Sequence, residues 1–180
     1  MFSTSGTGFI GKQLVKELAK EDVKIFLLVR SKSKAIRLFQ ERGILKKAVM
    51  HFIEGDLTKI DLGLSAEDKE RVLKTDVIIH AGGPMDIQAT SKEAASVFLN
   101  GAKHISELAK SIHQLKGLQQ FIHVVGYMSP FDDKNSKIAI DVFQEGNSYL
   151  KIKNPYERTK FLAIFISVTR HQQWVIRFRN

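Results

Sequence analysis

Apolar runs of strand length alternate along the chain with amphipathic stretches of helical periodicity. The run within Lys24–Val29 is continuously apolar, which is typical of a parallel strand covered on both faces. The segments predicted as strands are Met1–Thr4, Lys24–Val29, Val49–Glu54, Asp76–Ala81 and Phe121–Val125, with a sixth beginning at Trp174–Arg177. Strands that alternate with helices predict an α/β fold, a doubly wound parallel sheet in three α/β/α layers.

The helices are marked by apolar periodicity and by signals at their ends. They are predicted over Lys12–Ala19, Lys34–Arg42 and about Lys92–Ile112, with a last helix that has Pro155 in its first turn. Gly43 ends the second helix, and Ser65 is the predicted N-cap of a further one. The residues expected to share the apolar face of the first helix are Ile10, Leu14, Val15 and Leu18. The polar stretch Asp132–Lys153 is predicted to be a surface loop.

Length and composition bound the class of protein. With 180 residues, 43% of them apolar, the chain is predicted to form one domain over residues 1–180. It has no cysteine, so disulfides and cysteine–zinc sites are excluded, and we expect no metal site. The longest apolar stretch, Phe161–Val168, is too short to cross a bilayer, and no secretory leader precedes residue 6. We therefore expect a cytoplasmic protein without a membrane span.

The net charge of +9 raises the question of nucleic-acid binding. The lysines are scattered over predicted helix surfaces and loops, without a long basic run or a basic strand interleaved with aromatic residues. The one local cluster is Lys32, Lys34 and Arg37. For the charges outside this cluster we expect a solvated basic surface, and we expect no nucleic-acid partner.

A glycine-rich loop opens the first helix. Glycine lets the backbone turn tightly and lets a pyrophosphate approach the main chain, while the helix that follows offers unpaired N–H groups. Ser5 stands where the usual pattern has its first glycine, and serine makes that turn only with a negative φ or with strain. The residues predicted to hold the pyrophosphate are Gly6, Thr7, Gly8, Phe9, Ile10 and Gly11.

Tyr156 and Lys160 lie four residues apart and would share one face of a helix. The lysine charge stabilises a phenolate and so lowers the pKa of the tyrosine from its usual value of about 10. Tyr156 can then give a proton to a developing alkoxide as hydride arrives. This pair, placed after the fifth strand, predicts a reductase.

With these two motifs the chain resembles an extended short-chain dehydrogenase/reductase over essentially its whole length. Within that superfamily it is most similar to the thioester reductase-like branch, the NAD-binding male sterility type related to fatty acyl-CoA reductases. The segments that carry the narrower resemblance are Leu28–Ser31, Glu54–Thr58, Leu62–Ser65, Val77–Ala81 and Phe121–Val124. The resemblance implies a Rossmann-type NAD(P)-binding domain.

The resemblance also implies roles for individual residues. Arg30 stands where NAD-preferring relatives have an acidic residue, and with Ser31 and Lys32 it predicts NADP(H) in preference to NAD(H). Lys160 would also bind the nicotinamide ribose. The remaining matches are Asp56 and Leu57 at the adenine ring, Ala81, Gly82 and Gly83 on the nicotinamide side, and Asn100 as a structural or proton-relay residue, although Lys103 replaces the glycine expected three positions later.

Two features depart from the resemblance. Gly126 falls at or near the serine or threonine expected after the fifth strand, so Ser129 is the candidate third catalytic residue and Tyr127 the alternative. The first strand is short and the chain ends within its sixth strand. We expect a truncated protein that carries the cofactor half and lacks most of the C-terminal substrate lobe, with weak folding and weak cofactor affinity as the consequences.

Three functions stay open at this point. The leading one is an NADP(H)-dependent reductase that transfers hydride to a thioester or aldehyde carbonyl of a small-molecule or carrier-bound acyl substrate. The second is a non-catalytic nucleotide-binding domain, which Gly126 favours. The third is a relative of NAD-dependent sugar-nucleotide epimerases and dehydratases, which Arg30 disfavours. Relatives often pair through the helices that bear the tyrosine, so a homodimer is a further expectation.

Overall fold

A computed structural model describes residues 1–45, 50–83, 90, 92–93, 96–124, 159 and 163. Outside the described residues lie the predicted loop at Asp132–Lys153, the first turn of the helix expected at Pro155 and the strand expected at Trp174–Arg177.

The described strands form one five-stranded parallel sheet with the order β3-β2-β1-β4-β5. Its strands are β1 at Phe2–Thr4, β2 at Ile25–Val29, β3 at Met50–Glu54, β4 at Val77–His80 and β5 at Gln120–His123. The chain builds one side of the sheet from β1 to β3 and then crosses to the other side for β4 and β5. The predicted α/β fold with a doubly wound parallel sheet is therefore confirmed.

The helices lie between these strands. They are α1 at Phe9–Leu18, α2 at Lys32–Glu41, α3 at Ala66–Leu73 and α4 at Gly101–Lys116. Gly43 follows α2 with a positive φ of 65°, and the Ser65 hydroxyl accepts a hydrogen bond from the Asp68 N–H at 3.1 Å at the start of α3, as the sequence predicted. None of the described helices is long and apolar enough to cross a membrane.

Two helix predictions need correction. The helix expected over Lys92–Ile112 is helical at each of its described residues, but Ser96–Asn100 form a π-helical turn and α4 continues beyond the predicted end to Lys116. The apolar periodicity places Ile10 on the buried face of the first helix, yet 53% of its surface is exposed. The helix begins at Phe9, and its first turn lies beyond the end of the sheet, so Val15 is the first apolar side chain of α1 that is buried.

The core has a layer on each face of the sheet, because successive residues of a strand point to opposite faces. Phe26 and Leu28 of β2 pack on the side of α4, whereas Ile25, Leu27 and Val29 pack on the side of α1 and α2. All five residues of β2 are buried. This agrees with the three-layer arrangement that its continuous apolar run predicted.

The central strand β1 is only three residues long, and all three residues are buried. Phe2 to Thr4 pair with Phe26 to Leu28 on one side and with Ile78 to His80 on the other. The Met1 carbonyl extends the first ladder by accepting a 2.9 Å hydrogen bond from the Phe26 N–H. Thr4 therefore ends β1 level with His80, the last residue of β4.

Gly11→Ala should destabilise the protein strongly. A Cβ on Gly11 would overlap the Ser5 carbonyl oxygen and lie 2.9 Å from the Cα of Gly6, so the obstacles are backbone atoms that cannot rotate away. We expect a loss of about 3 kcal/mol or more in the free energy of unfolding, measured by urea denaturation. Gly101→Ala is the matched control, because its Cβ would make an ordinary 3.5 Å contact with Leu57. Equal stability of the two variants would contradict the close approach of α1 to β1.

Candidate functional site

A cleft of about 420 Å3 opens at the carboxyl edge of the sheet. It lies where the strand order reverses between β1 and β4, the position at which open α/β sheets bind their ligands. The residues that line it are Ser5, Thr7, Gly8, Phe9, Ile10, Gly11, Leu28, Val29, Arg30, Gly55, Asp56, Leu57, Thr58, Ala81, Gly83 and Val97.

The loop after β1 makes a tight turn at Ser5. The Ser5 carbonyl accepts a 2.9 Å hydrogen bond from the Gly8 N–H, and Ser5 itself has a positive φ of 60°. Of the two possibilities for a serine at the first glycine position, the structure shows the strained one. A left-handed conformation costs a non-glycine residue about 1–2 kcal/mol.

The N-terminus of α1 is uncapped and faces the cleft. Its N-cap is Gly8, which has no side chain that could accept a hydrogen bond from the first amides. The first turn of the helix contains no acidic residue. By contrast, α2 and α3 are capped by the hydroxyls of Ser31 and Ser65. Among the residues that the structure describes, the first amides of α1 therefore have no intrahelical or side-chain partner, and they carry the positive end of the helix dipole. This donor set fits a phosphate group.

Gly6 differs from the rest of the predicted pyrophosphate loop. Thr7, Gly8, Phe9, Ile10 and Gly11 all line the cleft, but Gly6 is buried outside its lining. A Cβ on Gly6 would lie 3.0 Å from a methyl group of Leu27 and 3.5 Å from one of Val15. The space around Gly6 is therefore used to pack the loop onto β2 and α1.

Arg30 and Asp56 follow β2 and β3 and line the same end of the cleft. Asp56 Oδ1 accepts hydrogen bonds of 2.8 Å from both the N–H and the hydroxyl of Thr58. The Thr58 N–H is the largest cause that lowers the pKa of Asp56. The Thr58 hydroxyl and the charges of Arg30 and Lys59 act in the same direction, against burial. The Asp56 carboxylate is therefore ionised, and its Oδ1 is held by the hydrogen bonds from Thr58.

Lys32 lies at the start of α2 and outside the cleft lining. Its ammonium pairs with Asp68 of α3, with an Nζ–Oδ2 distance of 3.6 Å. The predicted contact of Lys32 with the cofactor remains a prediction, and the ion pair with Asp68 would have to open for it to form.

A left-handed turn holds the main chain of Asp56 in place. Asp61, Leu62 and Gly63 have φ values of 52°, 59° and 62°, and the Leu62 carbonyl accepts a 2.7 Å hydrogen bond from the Asp56 N–H. A Cβ on Gly55 would lie 2.5 Å from that same carbonyl oxygen. The sequence did not predict this turn, because Gly63 is the only one of its three residues whose type favours a positive φ.

Leu57 is held from the opposite side by α4. Its carbonyl accepts a 2.9 Å hydrogen bond from Nδ1 of His104, and its side chain fills the space in front of Gly82 and Gly101. The segment Asp56–Leu57 is thus fixed by the left-handed turn below it and by α4 beside it.

A buried hydrogen-bond network joins the ends of β1 and β4. The Thr4 hydroxyl accepts a 3.2 Å hydrogen bond from the Ala81 N–H and lies 2.9 Å from Nδ1 of His80. We assign the hydroxyl hydrogen to this second contact, which leaves the hydrogen of the neutral imidazole on Nε2. His80 is 1% exposed, and desolvation, followed by the nearby His123, lowers its pKa well below its ordinary value of 6.5. The two rings lie with their centroids 4.6 Å apart.

The glycines after β4 let the main chain lie close to the side chains of Leu57, His80 and Phe98. A Cβ on Gly82 would overlap Leu57 and lie 3.0 Å from the His80 ring, and one on Gly83 would overlap Phe98. Ala81 and Gly83 line the cleft, while Gly82 is buried behind them. The segment predicted for the nicotinamide side therefore forms one wall, and its network with Thr4 was not foreseen from the sequence.

Asn100, the predicted structural or proton-relay residue, is exposed at the end of the π-helical turn. From the same turn Val97 lines the cleft and Phe98 is buried against Gly83. Turns of this kind are frequent at functional sites. The π-helical turn thus forms an apolar part of the cleft wall, a role that the sequence did not indicate.

The predicted catalytic residues Tyr156, Lys160 and Ser129, with the alternative Tyr127, lie outside the described residues. Thr159 and Ala163 are described as helical and buried, and Ala163 packs with Phe98 and Ala102. The catalytic roles remain predictions.

The fold and the cleft define a Rossmann-type dinucleotide-binding domain. The family model described as male sterility protein, an NAD-binding domain, matches residues 4–177. The protein therefore belongs to the male sterility protein family of NAD-binding domains, which confirms the resemblance to thioester reductase-like short-chain dehydrogenases. Membership of an NAD-binding family supports a nicotinamide dinucleotide as the ligand of the cleft.

Relatives and solved structures were found at modest identity. The fatty acyl-CoA reductase wat of Drosophila melanogaster is 29% identical in an alignment of 141 residues, which covers 69% of this chain and 27% of that protein. The terminal R domain from the myxalamid PKS-NRPS biosynthetic pathway matches with a TM-score of 0.73 and 18% identity, over 97% of this chain and 46% of that one. Yeast methylglyoxal/isovaleraldehyde reductase Gre2 matches with a TM-score of 0.68 and 21% identity, over 96% and 52%. The chain thus spans about a quarter of the length of the curated relatives it matches.

The neutral state of His80 should make stability depend on pH. Because its pKa in the folded protein lies below 6.5, the unfolded chain takes up this proton first as the pH falls. The contribution to stability is complete above pH 6.5 and is lost below it, by up to about 1.4 kcal/mol per pH unit. Urea denaturation between pH 7.5 and 5 should show this slope in the wild type and a shallower one in His80→Asn. His51, whose pKa is also lowered by burial, contributes equally to both. Identical slopes would contradict the assignment.

Proposed function

We propose that this chain is the NADP(H)-binding part of a reductase that transfers hydride to a thioester or aldehyde carbonyl. The observation that carries the proposal is the uncapped N-terminus of α1 at the switch point of the sheet, with Arg30 at the same edge. The helix end suits a pyrophosphate, and the guanidinium suits a further phosphate beside it.

The preference for NADP(H) rests on the surroundings of Arg30. The side chain is exposed in the cleft and has no ion pair with a carboxylate among the residues that the structure describes. The nearby Asp56 carboxylate accepts hydrogen bonds from Thr58, and its charge acts on Arg30 at a distance, without an ion-pair contact between the two side chains. Arg30 is therefore available to a 2′-phosphate. The structure of Gre2, which has the same fold, was determined as a complex with NADPH.

The substrate class is supported by the relatives. Curated relatives from fly and human are fatty acyl-CoA reductases, and structural neighbours include reductase domains of peptide and polyketide synthases. In both groups the name indicates a reductase. We infer that this chain serves the reduction of an acyl thioester, either small or bound to a carrier.

The chemistry would be divided between the bound coenzyme and the chain. The nicotinamide supplies a hydride when it is bound. Tyr156 would donate a proton to the carbonyl oxygen, and Lys160 would lower the pKa of Tyr156 and bind the nicotinamide ribose. Ser129 is the candidate hydroxyl that polarises the carbonyl. A cytoplasmic location and a homodimer are part of the same proposal.

A second candidate is a nucleotide-binding domain without catalysis. Gly126 stands where the family has a hydroxyl, and loss of such a donor typically costs on the order of a hundredfold in rate. In that case the cleft would bind NADPH without turnover.

The reductase proposal is tested by NADPH oxidation in the presence of acyl-CoA thioesters and aldehydes. We expect turnover by the wild type and a loss of about a hundredfold or more in Tyr156→Phe, because the proton donor is removed. NADPH should raise the melting temperature of both proteins. Stabilisation by NADPH without turnover in the wild type would favour the non-catalytic candidate, and the absence of both effects would refute both.

Arg30→Gln should change the choice of coenzyme. A charge-assisted hydrogen bond to a phosphate contributes about 1.5–3 kcal/mol, so NADPH affinity should fall about ten- to a hundredfold while NADH affinity changes little. Isothermal titration calorimetry measures both. Arg37→Gln is the control, because Arg37 is exposed on α2 and pairs with Glu41, away from the cleft lining. An equal loss for the two coenzymes would contradict a role for Arg30 in recognising the 2′-phosphate.

A further inference from the structure

His104 of α4 is half-buried and binds the main chain of the loop after β3. Its Nδ1 lies 2.9 Å from the carbonyl oxygen of Leu57, a residue 47 positions earlier in the chain. Because a carbonyl oxygen can only accept a hydrogen bond, Nδ1 carries the hydrogen and donates it. The imidazole therefore fixes a main-chain group of a residue that lines the cleft.

The side chain of Leu57 is held by the same helix. Gly101 and His104 are three residues apart, so they share one face of α4. A Cβ on Gly101 would lie 3.5 Å from the Cβ of Leu57, and one on Gly82 would overlap a methyl group of Leu57. Leu57 thus lies between α4 and the loop after β4, and α4 contacts both its side chain and its carbonyl.

The hydrogen bond from His104 differs from the others that hold this part of the lining. The Asp56 N–H donates to the Leu62 carbonyl, and the Thr58 N–H donates to Asp56 Oδ1. These partners belong to the same loop, so the bonds maintain its shape. His104 instead joins the loop to α4, in which the adjacent Ile105 is fully buried in the core. A wall that is fixed before the ligand arrives lowers the cost of ordering on binding.

We propose that His104 is a positioning residue for the adenosine half of the coenzyme. Its hydrogen bond keeps Leu57 at the cleft wall before the coenzyme binds. The proposal rests on the proposed function, because it takes the Asp56–Leu57 segment as the contact of the adenine ring. His104 is outside the lining of the cleft, so its effect on binding is transmitted through Leu57.

The binding test compares His104→Leu with His104→Asn by calorimetric titration of 2′,5′-ADP, which represents the adenosine half, and of NADPH. Asparagine places an amide donor near the position of Nδ1, whereas leucine fills the space without a donor. We expect affinity for both ligands to fall about three- to tenfold in His104→Leu and less than about twofold in His104→Asn. His113→Leu is the matched control, because His113 is an exposed histidine of the same helix outside the cleft lining.

The order of the two variants separates positioning from packing. If His104 only filled space, leucine would replace it better than the shorter, polar asparagine, and His104→Asn would be the weaker binder. A positioning role through the Nδ1 hydrogen predicts the opposite order. That opposite order would support the inference.

A second measurement needs no coenzyme. Hydrogen exchange of the Asp56 and Thr58 amides in the ligand-free protein reports how firmly the loop is held. We expect exchange to be about three- to tenfold faster in His104→Leu, because the loop opens more often once its bond to α4 is lost. The rates should be unchanged in His113→Leu. Unchanged rates in His104→Leu would overturn the inference.

The outcomes distinguish this inference from the proposed function. If the wild type binds 2′,5′-ADP and NADPH and His104→Leu binds them equally well, the inference is overturned and the proposed function stands. Equal losses in His104→Leu and His104→Asn would also overturn it, since the donor would then not matter. If the wild type binds neither ligand, the proposed function fails, and faster exchange in His104→Leu would then reveal a hydrogen bond that serves the fold alone.

Discussion

A three-residue strand at the centre of the sheet sets the position of everything that lines the cleft. Because β1 pairs with both β2 and β4, the residues that follow these three strands emerge side by side at one edge. Helix α1 can begin there only because Gly11 lets its backbone lie against the Ser5 carbonyl. The helix end, Arg30 and Ala81 meet around one space as a consequence of these two contacts.

The walls of the cleft contain left-handed backbone conformations and a buried polar network, which packing of an apolar core does not require. Ser5, Asp61 and Leu62 have left-handed backbone conformations, and His80 is kept neutral inside the sheet by burial. Strain and buried polar networks are unfavourable locally, and they persist where the surrounding structure determines them. Their concentration around one cleft distinguishes this edge of the sheet from the other.

The electrostatics of the cleft suit an anion with several phosphates. The positive end of α1 has no acidic residue in its first turn, and Arg30 lies exposed nearby. One carboxylate oxygen of Asp56, Oδ1, accepts two hydrogen bonds from Thr58. The net charge of +9 acts in the same direction, because it raises the local concentration of anions at the surface.

The sequence by itself determined the order of the described strands and α-helices, and it identified two parts of the cleft, the glycine loop after β1 and Arg30 after β2. Apolar runs, caps such as Ser65 and the glycine loop are local signals, and local signals are legible in one chain. Only the tertiary structure decided that Gly6 packs against Leu27, that Ile10 is exposed, and that Leu62 supports Asp56. The network from Thr4 to His80 joins residues 76 positions apart. Such contacts depend on which strands become neighbours, and periodicity within a single segment does not encode that pairing.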